Sequence, residues 1–71
     1  MGLIKLTEKE YDLITMLDKT NQEIADETGE PIGTINYRYY RLSAKLNVTS
    51  RTQMVIKALK YGLVELGAFS L

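Results

Sequence analysis

The sequence predicts an all-α domain of four helices, on three grounds. Thr7-Glu8-Lys9-Glu10, Thr20-Asn21-Gln22-Glu23 and Ser50-Arg51-Thr52-Gln53 each fit a capping box. In that motif a hydroxyl accepts from the backbone N–H three residues on, and the Glu or Gln side chain reaches back to the cap. Between these starts, apolar residues recur at helical spacing, most clearly at Ile35, Tyr39, Leu42 and Leu46. Gly29-Glu30-Pro31 then supplies a short stop and restart of the kind that separates the two helices of a helix-turn-helix.

Each helix has its own justification. The first is expected over about 8–18, with Tyr11, Ile14 and Leu17 on its buried stripe and Leu13 beside them. The second is expected over about 21–28 and is stopped by Gly29. Pro31 suits a helix start, because its missing N–H would have no intrahelical partner there, and it opens a long third helix to about Leu46. Asn47 tolerates the left-handed conformation that ends it. Ser50 caps a fourth helix, about 51–61, that buries Met54, Val55, Ala58 and Leu59 and stops at Gly62. Loss of any one capping hydroxyl is expected to cost about 0.5–2 kcal/mol.

The chain has 71 residues, which places residues 1–71 in one domain near the lower size limit for a self-supporting core. It contains no cysteine, so no disulfide or thiolate metal site reinforces it, and the composition suits a reducing cytoplasm. Without histidine, cysteine, a glycine-rich phosphate loop or a spaced ligand set, the sequence predicts no enzyme, no cofactor, no metal and no small-molecule ligand. No apolar run approaches the roughly 18 residues of a membrane span. Leu6 stands where a myristoylation signal wants Ser or Thr, so no membrane anchor or targeting segment is expected.

Formal net charge is zero, yet the charges are segregated. Residues 1–31 carry three lysines and eight acids, a net −5. Residues 32–62 carry Arg38, Arg41, Lys45, Arg51, Lys57 and Lys60 with no acid, a net +6. A polyanion responds to local charge and not to the sum, which makes nucleic acid the first partner to consider. With Ile35, Tyr39, Leu42 and Leu46 turned inward, the third helix presents Asn36, Tyr37, Tyr40 and Arg41, flanked by Thr34 and Lys45. Asn suits adenine N6 and N7, Arg suits guanine O6 and N7, and Thr or Lys suits phosphate.

These residues also resemble a family. Leu6-Thr7, Glu10, Glu23-Ile24-Ala25, Thr34-Ile35, Lys45-Leu46-Asn47-Val48, Ser50-Arg51, Gln53, Val55, Ala58 and Gly62-Leu63 are similar to the LuxR/GerE-type helix-turn-helix of bacterial transcription regulators. The resemblance covers roughly Leu6 to Val64 and needs no gap from Ile24 onward. It implies a four-helix domain that binds duplex DNA with its third helix in the major groove. Positions matching Asn36, Tyr37 and Tyr40 would lie nearest base edges, and those matching Thr34 and Lys45 would touch phosphate. It also implies a homodimer through the last helix, which offers Ile56, Leu59, Lys60 and Leu63. Most members join the domain to a receiver or ligand-binding domain, and this chain resembles a stand-alone member, nucleoid-associated when bound to DNA.

Combined, the two lines predict base contacts from Asn36, Tyr37, Tyr40 and Arg41, and phosphate contacts from Thr34, Arg38, Lys45 and Arg51. Plainer readings stand beside these. Tyr39 belongs to the core stripe, and Arg38, at its edge, suits an acidic partner from the first half equally well. Lys57 and Lys60 read as a solvated face, and Met16 and Met54 as core fillers. Glu8, Glu10 and Asp12 cluster at a helix N-terminus, where the macrodipole favours negative charge. Thr28, Glu30, Pro31 and Asn36 depart from the family pattern. They motivate an alternative, a module of the anti-activator type that binds another regulatory protein, helped by Val64, Leu66, Phe69 and Leu71.

Overall fold

The computed structural model describes residues 5–65 and 67. Those residues form four helices and no strand: α1 Glu8–Ile14, α2 Asn21–Thr28, α3 Ile32–Leu46 and α4 Arg51–Lys60. α3 is the centre of the fold and packs against each of the other three. The core joins Leu13, Ile14 and Leu17 to Ile24 and Ala25 of α2, Ile35, Leu42 and Leu46 of α3, and Met54, Ala58 and Val64. Each of the Leu, Ile, Val and Met side chains among them stabilises the fold by about 1.5–3 kcal/mol when fully buried, so much of what holds the domain together converges on α3.

Local chemistry accounts for the helix ends. Thr7 and Thr20 form complete capping boxes, with the Glu10 and Glu23 side chains each accepting from the cap amide at 2.8 Å. Ser50 forms half of one. Its hydroxyl accepts from the Gln53 amide, but the Gln53 carbonyl turns one residue further back and accepts from the Thr49 amide and hydroxyl. Gly29, Asn47 and Gly62 all take the left-handed conformation that ends a helix. After α3 the Asn47 amide donates to Ala44 and the Val48 amide to Ser43, and Gly62 and Leu63 repeat that pattern after α4, which satisfies carbonyls the helix would otherwise leave open.

Three expectations need correction. α1 ends at Ile14 and not near Asp18, because Met16 and Leu17 bond to carbonyls three residues back, and the chain tightens into turns. Tyr11 is 41% exposed, while Glu10 is turned into the protein, so α1 buries a charged residue where an aromatic was expected. Pro31 precedes α3 as its cap, and its extended ψ of 144° keeps it outside the helix while its carbonyl accepts from Thr34 and Ile35. Tyr39 packs partly buried against the core, as do Met16, Val55 and Leu59, and Met54 is fully buried.

Candidate nucleic-acid interface

α3 presents one face outward. Ile35, Leu42 and Leu46 are buried, whereas Asn36, Tyr37, Tyr40 and Arg41 are exposed, with Tyr37 and Tyr40 at 59% and 69%. A 15-residue helix with its inward stripe fixed by three core residues has no freedom to rotate, so the four side chains form a single surface. The Tyr37 hydroxyl accepts a 3.0 Å hydrogen bond from Arg41 Nη1, and the guanidinium lies over the Tyr37 ring. That hydrogen bond holds the Arg41 pKa above its ordinary value. Thr34 is half-buried near the start of α3.

The cations expected to hold phosphate are placed differently. Arg38 Nη1 is 2.7 Å from Glu30 Oε2, so of its two readings the acidic partner is the one the structure shows. That hydrogen bond from Arg38 holds the Glu30 carboxyl below its usual range. Lys45 Nζ is 2.6 Å from Glu10 Oε1, and its side chain is only 29% exposed. Arg51 faces inward: Nε donates to the Leu17 carbonyl at 3.1 Å, Nη2 to the Lys19 carbonyl and Nη1 to Asn21 Oδ1 at 2.9 Å, with the Tyr39 ring beneath. Arg51 thus braces the connection between α1 and α2, with three of its five guanidinium N–H groups bonded within the protein. Two acids of the first half, Glu10 and Glu30, thus meet two cations of the second. Of the cations of α3, Arg41 alone has no acidic partner among the described residues.

Sequence reasoning missed Asn21 and Lys57. Asn21 Nδ2 donates to Asn36 Oδ1 at 3.1 Å, which links the start of α2 to the outward face of α3. An asparagine in the first turn of a helix carries no signal of this. Lys57, read as solvated, donates to the Leu46 carbonyl at 2.7 Å and closes the end of α3. Of the expected dimer positions, Ile56 is 57% exposed and Lys60 is exposed on α4, whereas Leu59 and, beyond the end of α4, Leu63 are partly packed on the core. Val64 is buried and so is not available to a partner, and Leu66, Phe69 and Leu71 lie outside the described residues. Among the described residues no helix is long and apolar enough to cross a membrane, and no group of His, Cys, Asp and Glu could hold a metal.

Residues 5–58 match the luxR family of bacterial regulatory proteins, GerE. The response regulator protein VraR of Staphylococcus aureus is 36% identical over 62 residues, 84% of this chain and 30% of its own. The VraR proteins of Staphylococcus saprophyticus and Staphylococcus epidermidis match to the same extent. The chain thus spans about 30% of the length of these curated relatives. No solved structure matches. With a four-helix fold, an outward α3 and a match over residues 5–58, the chain belongs to the luxR family of bacterial regulatory proteins.

Proposed function

We propose that the protein binds duplex DNA sequence-specifically as a cytoplasmic homodimer, with α3 in the major groove and α4 at the dimer interface, and thereby regulates transcription. The outward face of α3 carries this reading, since Asn36, Tyr37, Tyr40 and Arg41 are exposed together on the helix that the rest of the fold supports. Side chains on one helix face reach base edges, while flanking polar groups set the register on phosphate. Thr34 flanks that face, and Arg38 and Lys45 reach phosphate by sharing or leaving Glu30 and Glu10. An exposed Ile56 on α4 favours a dimer, because burying it against its symmetry mate removes apolar surface from water.

Selection of bound fragments from random duplex DNA at two salt concentrations, with stoichiometry recorded, tests the proposal. A symmetric enriched site bound by two chains is expected. Salt-sensitive binding without enrichment would reduce the protein to a non-specific binder. A second reading, a module that binds another regulatory protein, is favoured by the pairing of Arg38 and Lys45 with acids, which lowers the positive field along α3. Absence of binding at low salt would select it.

A further inference from the structure

We infer that Asn21 sets which bases α3 reads, by holding the Asn36 carbonyl inward and leaving the Asn36 amide N–H groups as its reading end. The inference rests on the groove-facing placement of α3 proposed above. Its starting point is Arg51, whose guanidinium donates hydrogen bonds and accepts none. Arg51 is held in place by the Leu17 and Lys19 carbonyls and by the Tyr39 ring, and its Nη1 lies 2.9 Å from the Asn21 side chain. Asn21 must therefore turn its oxygen to Arg51 and its NH2 the other way. That NH2 meets Asn36 at 3.1 Å, and since it too only donates, Asn36 must answer with its oxygen. The polarity of Arg51 is passed through Asn21 to the surface of α3.

An Asn36 amide anchored in this way keeps two N–H donors and one acceptor lone pair. Because the amide is planar, fixing Oδ1 also fixes the direction of Nδ2. Next to it, the Tyr37 hydroxyl accepts from Arg41, so its own hydrogen is left to donate, and Arg41 has donors only. The face formed by Asn36, Tyr37 and Arg41 is led by donors. In the major groove guanine offers two acceptors, O6 and N7, whereas adenine sets an N6–H donor beside N7 and cytosine offers an N4–H donor. A donor-led face favours guanine. The adenine pairing that an isolated asparagine suggests needs Oδ1 aimed at N6–H, and here Oδ1 is aimed at Asn21.

The test is selection from random duplex DNA with the full chain, run in parallel for the wild type, Asn36→Ala, Asn21→Asp and Asn21→Ala. Asn36→Ala identifies the base position that Asn36 reads. At that position the wild type should favour guanine over adenine on the order of tenfold. Asn21→Asp keeps an acceptor for Arg51 but removes the donor, so Asn36 must turn its NH2 inward and expose its oxygen. Preference at that position should then move to cytosine or adenine. Asn21→Ala releases the amide and should erase most of the tenfold discrimination. The circular dichroism spectrum should be unchanged in Asn21→Asp and the thermal midpoint no lower than that of the wild type, since an acid in the first turn of a helix is favourable. An enriched wild-type site whose base preference is the same in both Asn21 variants would overturn this inference and leave the groove placement standing. No enriched site for any variant or the wild type would overturn both.

Discussion

A single oxygen, Glu10 Oε1, accepts from the Lys45 ammonium at 2.6 Å and from the Thr7 amide at 2.8 Å. It thereby ties the N-terminal cap of α1 to the last turn of α3, the helix that carries the candidate interface. One carboxylate does two jobs, capping a helix and compensating a cation 35 residues away in sequence.

The pH dependence of stability follows from that oxygen. Burial by itself pushes the Glu10 carboxyl up, but the Lys45 ammonium and the Thr7 amide outweigh it and hold the group below its ordinary value. A carboxyl lowered in the folded state stabilises at neutral pH, and that contribution is lost as pH falls through the lowered folded value. The Glu23 carboxyl, accepting from the Thr20 amide, and the Glu30 carboxyl, bonded to Arg38, shift in the same direction. Glu10→Gln should cost about 1–2 kcal/mol at pH 7. The gap from the wild type should start to narrow below about pH 5 and close on further acidification. Urea midpoints measured from pH 7 to pH 3 check this; a gap that stays constant would rule it out.

Arg51→Ala should destabilise the protein by about 2–3 kcal/mol, because the Leu17 and Lys19 carbonyls lose a charged donor and the Tyr39 ring loses its cover. Arg51→Lys should recover less than half of that, since one ammonium cannot span acceptors matched to a planar fork. Equilibrium unfolding in urea measures both. Equal stability of the two variants and the wild type would return Arg51 to a surface role.

Arg41 and Lys45 should separate in the salt dependence of DNA binding. Arg41→Ala should lower the slope of log K against log salt by about 1 if its charge displaces a counterion. Lys45→Ala should change the slope by much less, because Glu10 already compensates that charge, and should instead lower stability. Fluorescence anisotropy at four salt concentrations, alongside thermal melts, distinguishes the two. Equal slope changes would mean that the Glu10–Lys45 pair opens on DNA.

Ile56→Glu should weaken self-association by at least tenfold, since it places a charge where α4 exposes an aliphatic side chain. The stability of the single chain should move by no more than about 0.5 kcal/mol, as Ile56 is 57% exposed. Sedimentation equilibrium gives the first quantity and urea unfolding at low concentration the second. An unchanged dimer would move the interface off α4.

Much of the fold was legible because its signals are short-range. Thr7 and Glu10 or Thr20 and Glu23 act across three residues, and Gly29 or Asn47 ends a helix through its own backbone conformation. The outward face of α3 was legible for a related reason, since helical spacing places Asn36, Tyr37, Tyr40 and Arg41 opposite Ile35, Leu42 and Leu46. The end of α1 was not, because the choice between another helical turn and a tighter one depends on what Met16 and Leu17 pack against.

The sequence by itself determined where the helices start, which stripe of each is apolar, and that its acids and bases lie in separate halves. Tertiary structure alone decided which charges remain available. Glu10 meets Lys45, Glu30 meets Arg38, and Arg51 reaches carbonyls more than 30 residues away only because α1 and α2 cross α3 where they do. A capping box is closed by bonds within one turn, whereas an ion pair between helices needs a crossing set by the whole core. Opposite charges segregated along the chain are paired in space, at Glu10–Lys45 and Glu30–Arg38, and α3 is left with Arg41 as its one cation without an ion-pair partner among the described residues.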